Sequence, residues 1–214
     1  MKRVVIGAHL MREDVEPVAE AIPAGELWLS GVSVADDQPL GDRDLLLRVA
    51  DLRAKLLDTA TFVAIRYGFT VSSAAEAASK CAPHLDRWKR LLTEHRDDVE
   101  MTLKTAAAAP QSRPNRRDFT SGADYLRALH AAAQASQPDA RLRAEVERQI
   151  VPVAKKHRWI ARDEKSVELA ALIPRAELWR VREAGEALRC ACPAVPFLLS
   201  GPWPLEVFAD ADRE

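Results

Sequence analysis

The segment Phe197–Phe208, "FLLSGPWPLEVF", narrows the possible folds of this chain more than any other. Proline has a fixed φ and no amide hydrogen, so a helix interior and a central strand are both poor homes for it. The run reads as a last strand ending at Gly201, where glycine permits a bend. Beyond it, Pro202 and Pro204 hold the backbone extended and set the direction of Trp203. Two roles are open to that indole: an apolar face buried against the C-terminal domain, or a contact with a partner.

A terminal strand needs other strands and a helical cover, and the sequence supplies both. "RVVIGA" (Arg3–Ala8) and "ELWLSGVSV" (Glu26–Val34) read as strands, with an interrupted helix expected over Arg12–Ile22. From Arg43, apolar residues at spacings of three and four (Leu45, Leu46, Val49, Leu52, Leu56, Leu57) predict a helix capped by Asp42. "TATFVAIRYGF" (Thr59–Phe69) is rich in β-branched and aromatic residues and predicts a central strand ended by Gly68. Ser72 or Ser73 can cap the next helix, Ser73 with Glu76 at capping-box spacing; Pro83 divides the helical stretch behind it, and His84–His95 forms the second part. The alternation in "DVEMTLKTAAAA" (Asp98–Ala109) suits a half-buried edge strand.

"PQSRPNRRDFTSG" (Pro110–Gly122) has no periodicity and reads as a linker. Helices follow, the first capped by Ser121 with Asp124, and "QPDAR" separates it from the second. The chain then continues as strand, strand, helix and last strand. The expected architecture is α+β, with domains at 1–109 and 122–214 joined by a linker at 110–121.

Composition excludes several classes. There are 31 basic and 32 acidic side chains, for a net charge of −1, so neither nucleic acid nor an anionic membrane is implied as partner. No apolar run reaches the roughly 20 residues of a membrane span. Three cysteines form no disulfide framework and suggest free thiols in a reducing cytoplasm. "CAC" (Cys190–Cys192) is expected to put two thiols on one strand face.

No constellation of catalysis appears. The five histidines stand in unrelated patterns, and no phosphate loop, dinucleotide fingerprint or nucleophile elbow is present. No metal site or cofactor is expected, and the residues give no ground for an enzyme. Arg66 is the one unusual charge. Inside an apolar strand it needs a carboxylate or carbonyl partner, or it marks an anion-binding site.

Taken together, "TFVAIRYGF", "LLTEHRDDVEMTLK", "SGADYLRAL" and "FLLSGPWPLEVF" resemble, in order and spacing, the gas vesicle protein F/L family. That family shows a strand like "PVRFGT", a unit ending in "ELxVK" and a terminal "LTGPWPPYSF". The likeness spans about Leu45 to Phe208, and "GPWP" is its most specific element. The proline before the family's arginine is absent here, giving Ala64-Ile65-Arg66, and "PYSF" becomes Leu205-Glu206-Val207-Phe208; the chain resembles a divergent member. The resemblance implies an N-terminal ferredoxin-like α/β sandwich and a C-terminal helical domain with a small sheet. It also implies a non-enzymatic accessory role in assembling gas vesicles in the cytoplasm, with the hydrophobic shell subunit and other gas vesicle accessory proteins as partners. The partner-binding or structural motif would comprise Arg66, Tyr67, Gly68, Gly201, Pro202, Trp203, Pro204 and Phe208. A repurposed member, an enzyme or small-molecule sensor with a pocket near Arg66, is the alternative.

Overall fold

The computed structural model describes residues 1–105, 114–135, 140–161, 167–193 and 195–210. The start of the expected linker, residues 110–113, lies outside them, as do residues 106–109 of the expected edge strand and residues 137–139 and 162–164 of the segments read as a break and a strand. The chain divides into two compact units, Met1–Glu100 with Pro202–Glu214, and Met101–Gly201. This differs from the expected division, which kept the last thirteen residues with the second half.

In the first unit, β1 (Lys2–His9), β2 (Glu20–Ala24), β3 (Leu27–Val34), β4 (Val63–Ala64) and β5 (Thr70–Val71) form one sheet. Its order is β2-β3-β1-β4, with β5 also on β1. β1 runs antiparallel to β3 from Lys2 opposite Val34 to His9 opposite Trp28, with a register shift between Val5 and Gly7. Val4, Val5, Ile6 and Ala8 are all buried, as continuous apolar runs in covered strands should be. The helix expected over Arg12–Ile22 does not form: turns occupy residues 12–19, and Glu20–Ala24 is a strand. Pro17 has no amide hydrogen to give a helix, and Ile22 pairs with Leu29 instead.

Helices α1 (Arg43–Thr59), α2 (Ala74–Cys81) and α3 (Leu85–Glu94) complete this unit. Their starts follow local chemistry. Asp42 accepts the Leu45 N–H at 2.9 Å, worth about 1 kcal/mol, and Ser73 accepts the Glu76 N–H at 3.1 Å. Glu76 reaches back to Ser72 rather than to Ser73, at 2.7 Å from its N–H. α1 buries Leu45, Val49, Leu56 and Leu57 of the expected stripe, with Leu52 half-buried and Leu46 exposed. The strand expected over Thr59–Phe69 shortens to Val63–Ala64 and gives way to a turn at Tyr67–Gly68.

The second unit has the element order β-α-α-β-β-α-β. β6 (Asp98–Thr105) enters it, followed by α4 (Gly122–Ala135), α5 (Ala140–Gln149), β7 (Lys156–Ala161), β8 (Val167–Pro174), α6 (Leu178–Ala191) and β9 (Phe197–Trp203). The sheet order β7-β8-β6-β9 makes this a split β-α-β arrangement, the ferredoxin-like pattern. The ferredoxin-like sandwich is therefore the second unit, not the N-terminal part. In the first unit β1, β2 and β3 follow one another with no α-helix, so its strands cannot alternate with helices in that way.

β6 is central rather than an edge strand, with β8 and β9 on either side. Its residues from Asp98 to Leu103 are buried irrespective of face. The core of this unit joins Met101 and Leu103 to Leu142, Val146 and Ile150 of the α5 region, Leu169, Ala171 and Ile173 of β8, and Val181 and Leu188 of α6. β9 lies at the sheet edge, the kind of strand in which a proline such as Pro202 is tolerated. All three cysteines are free, and the expected pair on one strand face is not formed. Cys190 lies exposed in α6, and Cys192 caps that helix and is buried.

Gly7 fixes how closely β1 approaches the chain after α1. A Cβ there would fall 2.3 Å from Phe62 Cδ2 and 2.9 Å from the Val63 carbonyl oxygen. Gly7→Ala should therefore cost about 2–3 kcal/mol by overpacking, read as a lower urea midpoint at unchanged m-value.

Candidate functional site

The C-terminal motif is held by a buried carboxylate. Gly201 has φ +124, a conformation that side-chain-bearing residues resist. Beyond it the tail packs within the first unit. The Leu205 N–H donates to the Phe62 carbonyl at 2.8 Å, and the Leu205 carbonyl accepts from the Ala64 N–H at 2.9 Å. Leu205 thus forms a parallel bridge beside Val63 of β4. Next, the N–H groups of Glu206 and Phe208 donate to Glu100 Oε1 at 2.8 and 3.0 Å, and that of Val207 donates to Oε2 at 3.0 Å. Arg87 Nη2 closes the segment by donating to the carbonyls of Phe208 at 3.3 Å and Asp210 at 2.8 Å.

Glu100 is 1% exposed. Burial pushes its carboxyl up to about 7, outweighing the three N–H groups that favour the ionised form. Pro204, Leu205 and Val207 are buried with it. Trp203 is not: it is 47% exposed, so the indole is no buried lock. Tail attachment rests on Leu205, Val207 and the main chain instead. Phe208 is half-buried, and Pro202 likewise.

Arg66 is also placed differently from expectation. It is exposed at the end of β4 rather than inside a strand, and its guanidinium makes no hydrogen bond or ion pair with any described residue. Its carbonyl accepts from Phe69 N–H at 3.3 Å across the turn, with Gly68 at φ +94. Tyr67 is half-buried and donates its hydroxyl to the Leu40 carbonyl at 2.5 Å. Burial raises that phenol above its ordinary value, and the Asp42 charge adds to the rise, so it stays protonated.

Arg66 and the tail meet at an open pocket of about 570 Å³ in the first unit. Arg53, Arg66, Tyr67, His84, Trp88 and Glu206 are among its lining residues. Arg53 Nη2 donates to the Ile65 carbonyl at 2.9 Å, while its buried Nε has no partner. The His84 imidazole stacks on the Trp88 indole with centroids 5.2 Å apart. The pocket therefore joins Arg66, Tyr67 and the tail; Gly201 and Trp203 do not line it.

Sequence reading missed Glu100, Arg53 and Arg87. Glu100 carried a usable signal: a carboxylate among Val99, Met101 and Leu103 in an apolar strand needs donors, the same reasoning applied to Arg66. The other histidines are structural where buried. His9 stacks on Phe62 and bonds Ser30 Oγ at 2.9 Å, and burial lowers it to about 3. His95 Nδ1 lies 2.8 Å from Asp98 Oδ2. Among the described residues no group of three His, Cys, Asp or Glu could hold a metal ion, and no helix is long and apolar enough to cross a membrane.

These features define a mixed α+β protein with a ferredoxin-like second unit and a C-terminal tail bound through its main chain. The chain belongs to the Gas vesicle synthesis protein GvpL/GvpF family, whose model matches residues 16–209. The fold is similar to the crystal structure of gas vesicle protein GvpF from Microcystis aeruginosa, with TM-score 0.69 at 11% identity over 98% of this chain and 99% of that one. It is equally similar to GvpF from Anabaena sp. PCC7120, with TM-score 0.71 at 12% identity over 98% of each chain. None of the curated proteins matches the sequence.

The Glu100 site predicts a pH dependence. Its folded value lies above the ordinary 4.5, so the folded state takes up the proton first. The stability this confers is complete below about pH 4.5 and is lost as pH rises through about 7, by roughly 3 kcal/mol. Urea unfolding of wild type should show that fall between pH 5 and 8, and Glu100→Gln should lack it. Glu100→Ala leaves three N–H groups without their acceptor and should lose about 2–4 kcal/mol near pH 5, a deficit that shrinks as wild type loses its Glu100 contribution toward pH 8. Trp203→Ala, by contrast, should shift stability by under about 1 kcal/mol.

Proposed function

We propose that this protein is a non-enzymatic assembly factor that binds the hydrophobic gas vesicle shell subunit during nucleation or growth, in the cytoplasm and together with other gas vesicle accessory proteins. The observation that carries this reading is the family match across residues 16–209. A shell subunit that is apolar before assembly exposes patches and strand edges that aggregate unless covered, and an accessory protein can cover them reversibly. The exposed Trp203 supports a contact role, since an indole held on a fixed backbone is a favoured interface anchor. Arg66 and the turn at Tyr67 and Gly68 are the second proposed contact, exposed beside the pocket.

The pocket gives the sensor-or-enzyme reading one specific observation, a polar lining next to Arg66. Against catalysis, its phenol is committed to the Leu40 carbonyl and raised away from the ionised form.

Co-expression with the shell subunit of the same genome and affinity purification tests the assembly reading. Wild type should retain the subunit, and Trp203→Ala should retain at least about tenfold less while melting within a few degrees of wild type. Absence of any association with the wild-type protein would sink the proposal.

A further inference from the structure

The pocket beside Arg66 has a composition that selects among ligands. Arg66 presents a solvent-facing guanidinium that no described residue engages, and Arg53 contributes a half-buried one whose Nε is unpartnered. Arginine stays charged and offers a planar fork suited to carboxylates. The His84–Trp88 stack adds an aromatic surface, with Trp88 half-buried and His84 exposed. Glu206 and Asp210 put carboxylates in the same lining. A polyanion such as a nucleotide phosphate would meet repulsion from them. A peptide brings one carboxylate for the arginines, apolar surface for the stack and N–H donors for Glu206.

We propose that this pocket seats a peptide segment of the gas vesicle shell subunit in which a carboxylate side chain lies next to an aromatic or branched aliphatic one. The carboxylate meets Arg66, and the apolar side chain lies on the His84–Trp88 stack. The identity of the partner rests on the assembly reading; the chemistry of the site does not. The tail both lines the pocket, through Glu206 and Asp210, and is fixed by Glu100, so the site is formed before the peptide arrives.

The test uses fluorescein-labelled peptides with the purified full chain: overlapping 15-residue segments of the shell subunit, and a designed acidic peptide with phenylalanine beside aspartate. Anisotropy is read with wild type, Arg66→Glu and His84→Ala, both substitutions at exposed residues, with melting curves as the folding control. Arg66→Glu should weaken the acidic peptides by about tenfold or more. It should also gain affinity for the designed peptide with lysine in place of aspartate. His84→Ala should weaken both peptides without that reversal.

If the whole shell subunit binds wild type and Arg66→Glu equally, the site is overturned while the assembly reading stands. If neither the whole shell subunit nor any of its segments binds but the designed peptide does so in an Arg66-dependent way, the assembly reading fails and the chemistry of the site stands. Displacement of the peptide by adenosine monophosphate or inorganic phosphate at lower concentrations than unlabelled peptide would make it a small-anion site and overturn the proposal. No binding by any probe overturns it as well.

Discussion

Glu100 decides where the C-terminal motif goes. A buried carboxylate is costly unless its oxygens are met by donors, and three consecutive N–H groups of the tail meet them. Those groups would otherwise be missing acceptors themselves, because among the described residues past Pro204 the one bridge to the sheet is at Leu205. Each side thus offsets part of the other's desolvation penalty. The register follows: with Glu206, Val207 and Phe208 bound through the main chain, Leu205 and Val207 turn inward and Glu206 outward. Trp203 stays outside because its neighbour Pro204, not the indole, enters the packed region.

This arrangement also explains why a long apolar run gives so short a strand. Thr61 and Phe62 serve contacts other than a ladder: Thr61 Oγ1 donates to the Asp98 carbonyl at 2.7 Å, and Phe62 packs against Gly7 and His9. Val63 and Ala64 pair with β1 and the Ile65 N–H still donates to the Ile6 carbonyl at 3.0 Å, while the Leu205 main chain meets Phe62 and Ala64. Past Ile65 the chain turns, which frees Arg66 from the interior. An arginine that looked like a buried charge by its neighbours is exposed because the strand ends before it.

What the sequence made legible was local. Asp42, Ser73 and Ser121 were readable as helix caps because a cap and its N–H lie three residues apart. The α1 stripe was readable because period 3.6 is written in consecutive residues. What stayed hidden depended on residues far away in the chain. The alternation of Val99, Met101 and Leu103 suggests an edge strand, yet β8 and β9 flank β6, and burial then covers both of its faces. The resemblance implied a ferredoxin-like N-terminal half, but the strand order that defines that fold is set by long-range pairing and is found in the second unit. The Trp203 reading failed for a related reason: two prolines fix a backbone direction, but whether that direction meets protein or solvent is set by the partner surface.

The same physics bears on how a tail so close to the end of the described chain can hold a defined shape. Terminal segments are usually loose unless tied down, and side-chain burial alone would leave the register of this one soft. Bonds from three successive main-chain amides to one carboxylate, with Arg87 on two following carbonyls, fix it residue by residue. These bonds use main-chain atoms of the motif, and of its side chains those of Pro204, Leu205 and Val207 are buried. The indole of Trp203 and the carboxylate of Glu206 are thereby left facing outward on a backbone that no longer needs ordering, which lowers the entropic cost of any contact they make. A motif that spent its tryptophan on folding could not have offered it to a partner.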